Sequence, residues 1–521
     1  MPQGFMGPVV NGEIYKVGPG PSSSHTIAPK RISLYFKAKY PEATRYKVAC
    51  FGSLSMVETG NGHGTFDIIR DVLGENCEFD NRYPGYKPDV PIEKIPTNFR
   101  GQNPNKVGSL RLPHENTMDL YAYGARGELL GSCRAKSIGG GSFEIIGDEA
   151  TIPRPLYPQK SFMQIREFCA KHNYTPYEYL CHYEGKEQVD AFLGDILDRM
   201  MRSVDEGLEA PTTRFKGSPA RRLAKCRRFM ILQLRPTDLD LSNTSQLLGS
   251  YAVAVSDQNA DRREIVTAPT CGACGVIPAI LYLAKRRNVD MFPEEQRAMR
   301  FEKWRQLSIE ALAAAAVAIN VVKRNATLSG AEAGCQAEIG VSMAAGAMAQ
   351  VIIRDSNNPK VNKEELWQLL DNAGSLALCD TSGLSCLPVN GRVETPCILR
   401  NEWGADIAYR IASYRVYNPK TLYKTFDMEV AGIMDVGASL PVKCRESGLG
   451  PYNKAMRKHF GRIYAKKSGI GPTQKAMYES SKCHGCKKDN CLINREGETA
   501  ARRIAESDQR MAEYALSHMH I

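Results

Sequence analysis

The second half of the chain is written in helical periods dominated by alanine and glycine, and nothing else in the sequence restricts its fold as much. Tyr251 to Val255, Val276 to Lys285, Ile309 to Arg324 and Ile339 to Arg354 all read as helices. Small residues on so many faces let helix backbones approach closely, which predicts a compact helical domain. Three cysteines in this half stand outside plain amphipathic runs: Cys335 in SGAEAGCQAEIG, Cys386 in SGLSCLPVNG and Cys397 in ETPCILRN. The neighbouring glycines and prolines put each at a helix end or sharp turn, where open space and backbone N–H groups can meet a ligand. That is a setting for a metal cluster. The plainer alternative is three small buried hydrophobes, because free cysteine is among the most buried residue types.

Sixteen cysteines in 521 residues, with no signal-peptide pattern ahead of them, argue for a reducing cytoplasm and against a disulfide framework. The net charge of +11 invites a nucleic-acid partner, but the basic residues are mostly interleaved with acids. The clusters Arg221-Arg222, Arg227-Arg228 and Lys466-Lys467 read as solvated faces, and no nucleic acid is expected. The longest apolar stretch, Ala311 to Ile319 and on through Val321-Val322, is interrupted by Asn320. It reads as too short for a bilayer, so no membrane segment is expected.

The first 155 residues mix glycine-rich loops, strand-like runs such as Tyr46 to Phe51 and Met118 to Tyr123, and a helical stretch from Ile27 to Tyr40, which is an α+β pattern. Gly18-Pro19-Gly20-Pro21 forces a loop, and Ser22, Ser23, Ser24, His25 and Thr26 then open a helix. Hydroxyls and free N–H groups at a helix start form a cradle for a carboxylate, and His25 adds a group that moves protons near neutral pH. A second polar loop, GNGHGTFD, sets His63 between Gly62 and Gly64, followed by Thr65 and Asp67; the glycines allow close backbone approach to a ligand. A third, SIGGGSFEI, carries Gly139, Gly140 and Gly141 between strand-like runs, as an anion-binding or hinge loop does.

Phe162 to His172 and Val189 to Glu206 are helical. The expected order is an α+β domain over 1–155, a helical connector over 156–222 broken by Pro, Thr, Arg and Gly from Ala210 to Arg222, an all-helical domain over 223–451, and a C-terminal extension over 452–521.

TAPTCGACGVIPAIL, NATLSGAEAGCQAEIGVSMAAG, GLSCLPVNGRVETPCILRN and CRESGLG, with VGPGPSSSHT, GNGHGTFD and SIGGGSFEI before them in the same order, resemble the iron–sulfur-dependent L-serine dehydratases of the single-chain kind. The resemblance covers about residues 5 to 451. It implies an α+β domain similar to allosteric substrate-binding domains, then an all-α catalytic domain. It also implies a [4Fe–4S] cluster held by Cys335, Cys386 and Cys397 with one iron open to substrate, and a cytoplasmic homodimer that turns L-serine into pyruvate and ammonia.

Removing water from serine requires loss of the α-proton and expulsion of hydroxide. A Lewis-acidic iron would stabilise the leaving oxygen while a base takes the proton. Either His63 or His25 is the expected base. The hydroxyls of Ser22, Ser23, Ser24, Thr26 and Thr65, together with Asp67 and the loops at Gly64 and Gly139 to Gly141, are the expected substrate contacts. No motif singles out a Schiff-base lysine for pyridoxal phosphate. Cys483, Cys486 and Cys491, with His484 among them, are candidates for an additional metal. Cys271 and Cys274 form a C-x2-C pair read as packing. The rival readings are an iron–sulfur lyase acting on threonine or cysteine, and an amino-acid-sensing iron–sulfur protein without catalysis.

Overall fold

The computed structural model describes residues 7–10, 14–55, 57–80, 114, 116–151, 155–209, 244–389, 392–414, 425–446, 450–452 and 454–455. The punctuating segment from 210 to 222 and the Cys483, Cys486 and Cys491 group lie outside the described residues.

The N-terminal part is built on a five-stranded sheet in the order β3-β2-β4-β5-β6, from β2 (Arg45–Cys50), β3 (Glu78–Asp80), β4 (Thr117–Tyr123), β5 (Leu129–Ser137) and β6 (Phe143–Ile145). β2 runs parallel to β3 and antiparallel to β4, with Cys50 opposite Met118. Alternation in β4 puts Met118, Leu120 and Ala122 on one face, where Ile32 and Phe36 from helix Ala28–Lys39 and Ile69 and Val72 from helix Thr65–Leu73 close the core. Pro29 sits in the first turn of helix Ala28–Lys39, where its missing N–H costs nothing.

The remaining described residues are almost entirely helical. Helix Ile339–Asp355 lies at its centre, packed against Glu294–Asn325, Lys363–Cys379, Cys397–Ser413 and Val276–Lys285. The connecting helices Phe162–His172, Pro176–Glu184 and Lys186–Glu209 share the same apolar core. Thr175 and Glu178 form a reciprocal cap at the start of the second of them.

Helix Glu294–Asn325 corrects one expectation. It spans 32 residues, and its apolar portion has the length and hydropathy of a membrane span, so it is not too short. However, 78% of that window is buried against neighbouring helices. Asn320, the polar interruption in the sequence, is buried inside the helix and donates to the carbonyl of Gly7 at 2.9 Å.

The extreme N-terminal segment departs from the sheet part and threads the helical core. Ile14 and Tyr15 are fully enclosed there, and the Tyr15 hydroxyl donates to the carbonyl of Leu312 at 2.8 Å. β1 (Val17–Pro19) then pairs antiparallel with β7 (Glu264–Val266). The Gly20-Pro21 loop is therefore delivered to the seam between the two parts, where Asn259 Nδ2 donates to the Pro21 carbonyl at 3.0 Å.

Candidate active site

Three short segments carry the cysteines. Cys335 lies in the single turn Gly334–Ala337, Cys386 in the loop after helix Lys363–Cys379, and Cys397 begins helix Cys397–Ser413. The turn at Cys335 depends on Gly334, whose φ is +72° and where a Cβ would lie 2.8 Å from the Leu384 carbonyl oxygen. Backbone bonds then knit the segments together: Gln336 N–H donates to the Leu384 carbonyl at 3.1 Å and Cys386 N–H to the Cys444 carbonyl at 2.8 Å. Arg400, one turn into its helix, donates to the Ser385 carbonyl at 2.8 Å.

The neighbouring Cys386 thiol draws the Cys335 thiol below its ordinary range against the opposing effect of burial. Cys335 and burial push Cys386 up, and burial pushes Cys397 up. Arg400 is held in its charged form: burial opposes the charge, and the three cysteines overcome that opposition. Three thiols on glycine- and proline-shaped turns beside a guanidinium fit a metal cluster bound by three thiolates, because the arginine offsets part of the negative charge the ligands bring into a buried site.

The serine-rich loop reaches the site from the other side. Ser22 caps the turn Ser23–Ile27, and Ser22, Ser23, Ser24, His25 and Thr26 are all buried. His25 has both ring nitrogens engaged: Nδ1 is 2.8 Å from Ser24 Oγ and Nε2 is 2.9 Å from Ser53 Oγ. Burial lowers its pKa to about 3, so it is neutral. His63 packs edge-on to His25, with ring centroids 4.6 Å apart. It too is held well below its ordinary pKa, first by burial and then by His25, yet neither of its buried ring nitrogens has a hydrogen-bond partner among the described residues. Thr26 Oγ1 donates to the His63 carbonyl at 2.7 Å and fixes the loop that bears it.

Glu446 joins the two sides. The Glu446 carbonyl accepts from Ser53 Oγ at 2.8 Å, and Ser24 Oγ lies 3.3 Å from its Oε1. The same Oε1 is 3.5 Å from His25 Nδ1 and 3.9 Å from His63 Nδ1. Burial raises the Glu446 carboxyl to about 8. Glu338, another buried carboxyl raised by burial and by Glu446, accepts from the Cys386 thiol at 3.7 Å.

Of the residues singled out in the sequence, Ser22, Ser23, Ser24, His25, Thr26 and His63 are brought together, and Cys335, Cys386 and Cys397 form the facing group. Thr65 is buried beside them, and its hydroxyl has no hydrogen-bond partner among the described residues. Gly64 has φ +68° and is closed over by the Arg262 guanidinium. Asp67 is placed elsewhere: its side chain is 56% exposed and pairs with Arg262 at 2.9 Å. Gly139, Gly140 and Gly141 all have positive φ and press against Leu328, Pro269 and Ile27, with Gly139 bridged to Leu328. This loop therefore packs on the NATLSG segment that leads to Cys335. Cys271 and Cys274 are fully buried, and burial raises both.

Ser53, Glu338, Arg400 and Glu446 were not singled out by the sequence reading. The last three sit within motifs quoted above, but only the fold shows that Ser24 and Glu446, 422 residues apart, meet.

A sheet-bearing N-terminal part and a helical part, meeting at three clustered cysteines and two buried histidines, match a defined enzyme family. Residues 149–450 match the profile of the serine dehydratase alpha chain, and residues 11–79 that of the serine dehydratase beta chain. Over 479 residues the chain is 31% identical to the L-serine dehydratase of Haemophilus influenzae, covering 84% of this chain and 97% of that one. It is 29% identical over 471 residues to L-serine dehydratase 1 of Escherichia coli, covering 84% and 97%, and 29% identical over 481 residues to the L-serine dehydratase of Helicobacter pylori strain J99, covering 85% and 98%. The chain belongs to the L-serine dehydratase family, with the beta-type part ahead of the alpha-type part in one polypeptide.

Proposed function

We propose that this chain is an L-serine dehydratase that releases pyruvate and ammonia, using a [4Fe–4S] cluster held by Cys335, Cys386 and Cys397. The observation that carries the reading is the convergence of those three thiols with a neutral, unpartnered histidine contributed by the other part of the chain. When bound, the cluster would supply Lewis acidity toward the hydroxyl that leaves.

The protein's own groups account for the remaining requirements. His63 is the base: its ring is neutral, buried and, among the described residues, free of competing hydrogen bonds, so a lone pair is available for the α-proton. His25 is a poorer candidate, because Ser24 and Ser53 occupy both of its nitrogens; it holds those hydroxyls in place. The turn Ser23–Ile27, capped by Ser22, offers hydroxyls and N–H groups to the substrate carboxylate. Burial of the whole cluster of side chains excludes water, so the dehydrated product is not exposed to bulk solvent while bound. Because the histidines and cysteines come from different parts of the chain, closure of the seam along β1, β7 and the Gly139–Gly141 loop is a prerequisite for turnover. The sheet-bearing part is proposed to be of the allosteric substrate-binding kind.

The test is product formation by protein purified without oxygen, with L-serine, L-threonine and L-cysteine as separate substrates. Pyruvate from L-serine at the highest kcat/KM, lost on exposure to air, supports the reading. Preference for threonine or cysteine reassigns the leaving group. No product from any of the three, with iron fully loaded, overturns it in favour of a sensing role.

A further inference from the structure

We propose that Glu446 is the anchor for the α-ammonium group of the substrate, an inference that rests on the L-serine dehydratase reading above. A buried carboxylate needs a positive partner or a set of donors. Glu446 is only 4% exposed, and its recorded neighbours are Ser24 Oγ at 3.3 and 3.4 Å and the ring nitrogens of His25 and His63 at 3.5 and 3.9 Å. Both imidazoles are neutral. Among the described residues, no lysine or arginine forms an ion pair with it. Burial alone disfavours ionisation of this carboxyl, so it becomes an anion only with a cation beside it, and an amino acid brings one.

The other acids are committed elsewhere. Asp67 pairs with Arg262 at the surface, and Glu338 accepts from the thiol of Cys386. Position also favours Glu446. Its Oε1 lies within 3.9 Å of a ring nitrogen of each histidine, so an ammonium seated on it and on Ser24 Oγ would bring Cα, one bond away, toward His63, whose ring nitrogens have no hydrogen-bond partner among the described residues. An ammonium has three N–H donors to distribute among such acceptors. The backbone is arranged to aim the side chain there: Glu446 has φ +27°, a left-handed conformation that a non-glycine residue keeps only when its surroundings hold it. Here the holding contacts are Ser53 Oγ on the Glu446 carbonyl and Cys386 N–H on the Cys444 carbonyl.

The experiment compares L-serine with 3-hydroxypropanoate, which has the same carboxylate and hydroxyl but no amino group, in the iron-loaded full chain and its Glu446→Gln and Glu446→Asp variants. Iron content is measured for each. In Glu446→Gln, KM for L-serine is expected to rise about 100-fold while the inhibition constant of 3-hydroxypropanoate changes less than about 3-fold, with Glu446→Asp between wild type and Gln. Equal loss for both ligands, or a fall in kcat at unchanged KM, overturns the assignment. So does failure of both variants to load iron, which makes the residue structural. Because His25, His63 and Glu446 present ligand atoms within 4.8 Å of one another, Zn2+ alone is tested as an inhibitor. Loss of zinc inhibition without selective loss of amino-acid affinity also overturns it, in favour of a cation site. A wild type that makes no pyruvate from L-serine removes the underlying reading instead, and is told apart by that failure.

Discussion

The backbone N–H of Cys386 donates to the carbonyl of Cys444 at 2.8 Å, which ties a proposed cluster ligand to the strap, residues 444–446, that carries Glu446. The strap's other end is held by Ser53 from the sheet-bearing part. Removal of the metal is therefore predicted to loosen residues far in sequence from the three proposed ligands. Hydrogen exchange of the serine-rich loop and of the 444–446 strap should speed up when iron is chelated, with little change in the sheet core around Met118 and Leu120. Unchanged protection in the strap would contradict the coupling.

The cysteines should separate cleanly by role. Cys335→Ser, Cys386→Ser and Cys397→Ser are each predicted to lower bound iron and sulfide severely. Cys379→Ser, at an exposed position, should leave both at the wild-type level. Iron and sulfide analysis of the anaerobically purified variants is the check; an iron-replete Cys397→Ser would remove it from the ligand set.

The two histidines should also differ. His63→Ala is predicted to reduce kcat by about 10²–10⁴-fold with iron content intact, the range for loss of a positioned base. His25→Ala removes two buried hydrogen bonds and leaves Ser24 and Ser53 to re-pair, so it should lower stability by about 1–3 kcal/mol and reduce turnover less than His63→Ala does. Reversed effects would exchange their roles.

His25 also sets a pH response. Its folded pKa is depressed to about 3 from an ordinary 6.5. Below pH 6.5 the unfolded chain takes up a proton that the folded chain refuses, so this contribution to stability is complete above 6.5 and is lost as pH falls toward 3. The slope approaches about 1.4 kcal/mol per pH unit. In thermal melts between pH 6.5 and 4, His25→Gln should show a shallower decline than wild type; parallel curves would mean that His25 is not buried neutral.

Much of this architecture can be read from local pattern, because burial and periodicity leave their mark on neighbouring residues. Phe162–His172 and Ile339–Asp355 follow their apolar and small-residue spacing closely, and Thr117–Tyr123 its alternation. The Ala311 to Val322 stretch misled, because Asn320 looks like an interruption until Gly7 is seen to accept its side-chain N–H. Glu446 and Ser53 were missed for a related reason. Each is an ordinary polar residue in its own segment, and its meaning comes from a partner hundreds of residues away. Asp67 follows His63 closely in sequence, but the helix beginning at Thr65 carries it to the surface, where Arg262 meets it.

Thiols from one part of the chain and a histidine from the other are proposed to form a single catalytic site. The decisive comparison is single-turnover pyruvate formation from L-serine by anaerobically purified wild type and His63→Ala at matched iron content. Wild type is expected to form pyruvate rapidly and His63→Ala to form none on the same timescale, with the cluster's visible absorption the same in both. Pyruvate from His63→Ala at a rate within a few-fold of wild type would contradict it.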